Sequence, residues 1–564
     1  MTLPPRCSTR APITSAGLGP VLIRPRVHHR AQPPSKLKTT TSLRALRCYL
    51  ATFLGRHASA WLTGVLHSTQ ETHLACGLHT LNLPNSRKIL FQSVDGQTNS
   101  PILAPQSKLL TRNADRSMVE NKMKPRQNQA RDEAASRLRD ILRHNRELSR
   151  GGTYAVCSAH KAVIDAAIQQ ALEDGRLLHV ESTSSQVNQF GGYTGSTPQQ
   201  FADDVRKAAQ RAGLPEGRVL LGGDHLGPFP WRSEPSTVAL TKAQTLVRDC
   251  VVAGYQKIHL DASMACADDA KAGITEETVA ERAAILCRSA EDASLELLHG
   301  TPPIYVIGTE VPTPGGESAD GESPRVTSPE NVNRTLEIFR CAFERLGLSS
   351  AWARVIALVV QPGVDFGSNT IFNYDPNKAR SLCSALSKHP TIVFEAHSTD
   401  YQSPAALTQM VEEHFAILKV GPWLTYAYRE AVLALGAIEH ELFRQTGLRQ
   451  LSNVRHALES VMQRDPSQWR AYYQGSEDEV RRDLIYGFSD RCRYYWNQPL
   501  VEEEVARLLE NLRQQSIPIT LVGQYLPLEY EAIRDGAIDP TPEQIIQYHV
   551  RRVLRVYANA CAAA

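Results

Sequence analysis

Eight short apolar runs, each ending in polar residues and leading to a helix-like segment, constrain this chain most. They are TYAVCSAH (153–160), LLHVESTS (177–184), RVLLGGDH (218–225), KIHLDASM (257–264), IYVIGTEV (304–311), VIALVVQPG (355–363), TIVFEAHS (391–398) and FAILKVG (415–421). Amphipathic stretches such as TEETVAERAAILCRSAEDA (275–293) and NRTLEIFRCAFERLG (333–347) lie between them. Near-continuous apolar strands alternating with helices are buried on both faces, which predicts a parallel sheet. Eight such units in succession predict an α/β chain closed into a (β/α)8 TIM barrel. An open doubly wound sheet is the alternative. No Gly-x-Gly-x-x-Gly fingerprint follows the first strand, so no nucleotide cofactor is expected.

In a closed barrel the C-terminal strand ends form one rim, where side chains distant in sequence converge. The tips here carry His160, Glu181, Asp224, His225, Asp261, Glu310, Gln361, Glu395, His397 and Lys419. A structural hydrogen bond or a solvated turn would account for any one of them. As a set they predict a polar ligand site.

Three domains are expected: residues 1–117, a barrel with a leading helix over 118–450, and a helical extension over 451–564 packed on the barrel. Residues 1–117 hold 15 Lys or Arg and only three acids, with no sustained periodicity. They read as a disordered basic segment, or as sequence upstream of a functional start near Met118 or Met123. The remainder holds 47 basic and 56 acidic residues, which argues against a nucleic-acid partner. No apolar run is long enough to predict a membrane span. The 11 cysteines form no Cys-x-x-Cys pair, which suits reduced thiols and a cytoplasmic setting. The Tyr and Trp cluster at 486–496 reads as core or interface.

Several segments together resemble the GatZ/KbaZ family, the large non-catalytic subunits of class II tagatose-1,6-bisphosphate aldolase. They are ESTSSQVNQFGGYTG, LLGGDHLGP, KIHLDASMACA, YVIGTEVPTPGGE, FEAHSTDYQ, HFAILKVGP, SDRCRYYW and GQYLP, and the resemblance runs from about residue 150 to the C-terminus. It implies a TIM-barrel protein of tagatose 6-phosphate catabolism that stabilises and activates a GatY/KbaY-like catalytic subunit. For some relatives it also implies 4-epimerisation of tagatose 6-phosphate to fructose 6-phosphate. The order of tip motifs is similar, more distantly, to that of the zinc-dependent class II aldolases. Asp224-His225 resembles their Asp-His pair and His397 their last ligating histidine. The strand between, LVVQPGVDF, offers Gln361 and Asp365 but no histidine, so this resemblance implies an incomplete zinc set.

By residue type, His225, His397 and Glu310 could hold one divalent metal, Zn2+ or Mn2+. The alternative is that both histidines are hydrogen-bonded rim residues. Epimerisation at C4 without a nicotinamide points to cleavage and re-closure of C3–C4. In that chemistry Asp224 takes the C4 hydroxyl proton, with Asp261 or Glu395 as its partner. For a sugar phosphate, Lys419 and Gly421 at a helix start, with Ser398, Thr399 and Gln361, are the candidate contacts. The Gly-rich NQFGGYTG (188–195) is a second phosphate candidate, and VPTPGGES (311–318) reads as a loop or a closing lid.

Overall fold

The computed structural model describes residues 129–270, 273–297, 301–311, 324–444 and 450–562. The expectations for residues 1–117 and for the Pro-Gly-Gly loop lie outside them. The eight apolar runs become eight barrel strands: β1 (Thr153–Val156), β2 (Leu178–Thr183), β3 (Val219–Leu226), β4 (Lys257–Leu260), β5 (Ile304–Ile307), β6 (Val355–Val360), β9 (Val393–Ala396) and β10 (Ile417–Val420). A small antiparallel pair, β7 (Asp365–Phe366) and β8 (Ile371–Phe372), lies outside the barrel. The barrel closes in the order β1-β2-β3-β4-β5-β6-β9-β10, every pairing parallel.

A helix over residues 129–148, α1, precedes the barrel. Around it lie α2 (Lys161–Asp174), α3 (Pro198–Ala212), α4 (Ser236–Val252), α5 (Glu276–Glu296), α6 (Pro329–Arg345), α7 (Ser349–Trp352), α8 (Pro376–Ala385), α9 (Pro404–Glu412) and α10 (Pro422–Phe443). Thr197, Ser328 and Ser403 each accept a first-turn N–H, and a proline follows each cap. That is the arrangement expected of a sharp loop-to-helix start.

Side chains in a strand alternate between its two faces, and here the inner face changes character along the barrel axis. At the N-terminal ends Leu220, Ile304, Val393 and Ile417 cluster with Ala134, Leu138 and Leu142 of α1, which closes that mouth. Further along, the buried inward residues are His179, Glu181, Lys257, Glu395 and Lys419. Gly222 makes this polar layer possible. It lies in register between Glu181 and Lys257, and a Cβ there would sit 2.8 Å from Glu181 Cγ. Without that Cβ, Glu181 and Lys257 meet at 2.6 Å.

The chain continues through α11 (Val454–Arg464), α12 (Glu477–Tyr486), α13 (Pro499–Arg513), α14 (Ile519–Tyr525), α15 (Pro527–Arg534) and α16 (Pro542–Ala560). Helix α16 packs against α2 and α10, and the Tyr557 hydroxyl donates to Thr399 O at 2.8 Å. Arg429 of α10 pairs with Asp490 at 2.9 Å, both buried. Among the described residues, no helix is long and apolar enough to cross a membrane.

His160 caps the start of α2 beside Tyr428, ring centroids 4.2 Å apart, and its Nδ1 has no hydrogen-bond partner among the described residues. Burial pushes its imidazole down to about 4 from an ordinary 6.5. The unfolded chain therefore binds a proton that the folded chain refuses between those two values. Stability falls as pH drops through 6.5 towards 4, with His160 accounting for about 3 kcal/mol at the acid end. Denaturant titrations of His160→Phe across this window should show a correspondingly flatter acid slope.

Candidate active site

Asp224 and His225 stand at the end of β3, where His225 adopts φ +48°. Ser398, just past β9, has φ +53°. Non-glycine residues hold such conformations where their surroundings over-determine them, which recurs at functional sites. Three imidazoles meet here. The ring centroids are 5.2 Å apart for His225–His259, 4.8 Å for His225–His397 and 5.2 Å for His259–His397. One potential ligand atom from each of Asp224, His259, Glu395 and His397 lies within 4.8 Å of the others, and all four residues are buried.

Each imidazole has a carboxylate neighbour. His225 Nδ1 is 2.7 Å from Asp261 Oδ2, and Asp261 Oδ1 accepts the Ser263 backbone N–H and hydroxyl. His397 Nε2 is 3.1 Å from Glu395 Oε1. His259 Nδ1 faces both Asp224 Oδ1 at 3.0 Å and the His225 backbone N–H at 3.2 Å, demands that one nitrogen cannot meet at once. Burial pushes the Asp224 carboxyl up, but His225 and Lys419 outweigh it and hold it well below the usual range. An ionised Asp224 favours a proton on His259 Nδ1 and makes no claim on Nε2. That nitrogen is buried without a hydrogen-bond partner among the described residues. Burial likewise holds His397 down to about 4, so its ring is neutral and has a lone pair to give. Carboxylate-oriented imidazoles are the usual support of a metal ligand set.

Charge points the same way. Lys257 lies 2.6 Å from both Glu181 and Glu395. Lys419 contacts Glu181, lies 2.9 Å from Asp224 and 3.6 Å from Glu395. With Asp261, two ammonium groups face four buried carboxylates. His225, whose imidazole burial pushes down but Asp224 and Asp261 hold above its ordinary range, offsets one of the two remaining negative charges. Uncompensated charge is costly in a buried site, and a divalent cation between the imidazoles would neutralise it. Carboxylate and imidazole donors suit such a cation, and the residues present fit one.

Above the cluster opens a cavity of about 880 Å3, within the range of small-ligand sites. Asp224, His225 and Ser398 line it from the barrel, and Tyr472, Arg491 and Arg493 from the extension.

A family model described as "D-tagatose-1,6-bisphosphate aldolase subunit GatZ/KbaZ-like" matches residues 138–562. The chain belongs to the GatZ/KbaZ-like family. The match takes in the barrel and the helices after it, so the extension belongs to the GatZ/KbaZ-like unit. A crystal structure of a probable tagatose 6 phosphate kinase from Sinorhizobium meliloti 1021 is 40% identical, with a TM-score of 0.66, covering 73% of this chain and 100% of that one. A fructose-bisphosphate aldolase from Campylobacter jejuni is 13% identical with a TM-score of 0.35, covering 67% of this chain and 92% of that one.

Within this GatZ/KbaZ-like site the sequence-derived residues fare differently. Asp224, His225, Asp261, Glu395 and His397 converge. Glu310 is not brought to the imidazoles: its carboxylate accepts from Thr327 and, at 2.6 Å, from Asn331. The third imidazole, His259, was missed, although it shares the inner face of β4 with Lys257 and Asp261. The class II pattern expected it from the β6 region, and the structure supplies it from the strand next to β3.

The expected phosphate contacts are mostly engaged elsewhere. Lys419 lies inside the barrel among carboxylates. Burial pushes its ammonium down, but Asp224, Cys157, Glu181 and Glu395 hold it well above its ordinary range, so it stays charged and paired. Asp400 Oδ1 occupies the start of α10, accepting from Gly421 N at 3.0 Å and Trp423 N at 2.8 Å. Thr399 donates to Lys419 O, and Gln361 Oε1 accepts from Gly363 and Val364. Of this set Lys419, Gly421 and Ser398 line the cavity, and of these three only Ser398 has no other contact among the described residues.

Proposed function

We propose that this chain is a metal-dependent 4-epimerase of a ketohexose 6-phosphate, interconverting tagatose 6-phosphate and fructose 6-phosphate. The observation that carries this reading is the unpartnered His259 Nε2, buried beside His225, His397 and a surplus of carboxylates. His225, His259 and His397 would hold one divalent ion, zinc or manganese by donor type, and it would act as a Lewis acid on the ketose oxygens. Asp224 lines the cavity and is ionised, so it accepts the C4 hydroxyl proton as C3–C4 breaks. The fragments are the enediolate of dihydroxyacetone and glyceraldehyde 3-phosphate. Turning the aldehyde presents its other face, and bond re-formation takes the proton back from Asp224. Nothing is oxidised or reduced overall, so no nicotinamide is needed. Asp261 and Glu395 hold His225 and His397 in orientation.

A second reading rests on the family's description as an aldolase subunit. In it the chain supports a GatY/KbaY-like class II catalytic subunit and turns nothing over by itself. The cytoplasmic setting we infer for both is supported by the described cysteines, all unpaired.

One assay separates the two. The full chain, metal-replete and alone, is incubated with tagatose 6-phosphate while fructose 6-phosphate is followed by a coupled enzyme. Product formation supports the epimerase. No product, with a rise in tagatose-1,6-bisphosphate cleavage on mixing with the catalytic subunit, supports the accessory role.

A further inference from the structure

A dianionic phosphate in this cavity needs cationic or N–H partners, and the barrel offers few. Lys419 is committed to carboxylates and the α10 start to Asp400. The extension supplies two guanidinium groups instead, in its short helical turn Arg491–Tyr494. Both Arg491 and Arg493 line the cavity, and neither makes an ion pair with a carboxylate among the described residues. The acid just before them, Asp490, is taken by Arg429 at 2.9 Å and Thr425 at 2.6 Å.

Arg491 is 3% exposed. Its guanidinium lies over the Tyr472 ring, Cζ 3.4 Å from the centroid, and Nε donates to Gln468 O. Its Nη1 is buried with no hydrogen-bond partner among the described residues. Arg493 packs on the Tyr494 ring at 4.4 Å, donating to the Tyr494 hydroxyl at 2.9 Å and to the Ser489 carbonyl. Aromatic stacking and backbone carbonyls thus fix both side chains in place without a direct ion pair, Asp490 and Asp400 acting on Arg493 only at longer range. A buried guanidinium with a free N–H is a costly arrangement in the absence of an anion. The planar fork matches phosphate oxygens in a bidentate manner.

We propose that Arg491 and Arg493 are the receptor for the phosphomonoester of the ligand, so that the helical extension holds the anionic end while the barrel holds the reacting carbons. This rests on the reading of the substrate as a sugar phosphate. It also gives the extension a part in catalysis: of the four Lys and Arg side chains that line the cavity it supplies two, the others being the carboxylate-paired Lys419 and the exposed Arg232.

The test is calorimetric binding to the full chain of tagatose 6-phosphate, inorganic phosphate and unphosphorylated tagatose, with turnover measured in parallel. The expected result is binding of the ester and weaker binding of phosphate, with tagatose weaker than the ester by about 100-fold. Arg491→Gln and Arg493→Gln each weaken the ester by about 10–100-fold and raise KM more than they lower kcat. Arg491→Lys restores part of the loss. Melting curves check folding, and if Arg491→Gln is unfolded, the less buried Arg493→Gln decides. Folded variants that bind the ester and phosphate as the wild type does would overturn the receptor, as would a wild type that binds no phosphate. The two readings fail separately. Arginine-dependent binding without epimerisation keeps the receptor and removes the epimerase, and epimerisation with unchanged KM in both variants does the reverse.

Discussion

On the proposed reading, His259→Ala should strip the full chain of its divalent metal and lower tagatose 6-phosphate turnover by more than about 100-fold. The size follows from the position of the ring. Losing a hydrogen-bonded neighbour of a metal ligand typically costs 10–100-fold, and His259 is placed as a ligand itself. Its Nε2 is buried and unpartnered, and its centroid is 5.2 Å from those of both His225 and His397. The control is Glu310→Ala. The sequence alone ranks Glu310 as a ligand, but Thr327 and Asn331 hold its carboxylate away from the imidazoles. Metal content measured by mass spectrometry should be lost in the histidine variant and kept in the glutamate variant. Because a metal that binds only the folded chain stabilises it, chelation should also lower the wild-type melting temperature and leave that of His259→Ala unchanged.

Lys257→Met destabilises the chain by about 3–5 kcal/mol. Lys257 is fully buried and bridges Glu181 and Glu395 at 2.6 Å each. Removing the ammonium leaves two carboxylates in the barrel interior with Lys419 as their remaining cation. Breaking a buried pair from one side is far worse than replacing it whole, so adding Glu395→Gln to Lys257→Met should recover part of the loss. Urea unfolding of both variants measures this. Equal stability of Lys257→Met and the wild type would mean that the interior charges are not coupled as the distances indicate.

The fold was legible because its signal is local: eight short apolar runs, each followed by a polar tip and a helical stretch. The site was legible only as a set of strand tips. Reading the first polar residue after the run ends at Leu260 picked out Asp261 and passed over His259. The two-residue period of a strand puts Lys257, His259 and Asp261 on one face and Ile258 and Leu260 on the other, and the same rule pairs Glu395 with His397. That alternation was available in the sequence. What was not available is which distant group fills a given position. Lys419 looks free for phosphate until barrel closure brings Glu181, from the far end of the chain, into contact with it. Gly421 looks open until Asp400, 21 residues earlier, takes its N–H. The arginines of SDRCRYYW sat in a segment read as core or interface, and Trp496 and Tyr495 are indeed buried there. That the same turn also faces the cavity depends on how the extension folds back over the rim, which no local pattern encodes.

The most direct test of the central claim is a metal titration. Full-length protein stripped by chelator is given zinc or manganese in steps while fructose 6-phosphate formation from tagatose 6-phosphate is followed. The account predicts no turnover in the stripped protein and a rise that levels off at one ion per chain. Turnover that is indifferent to the metal, or absent at every metal level, would contradict it.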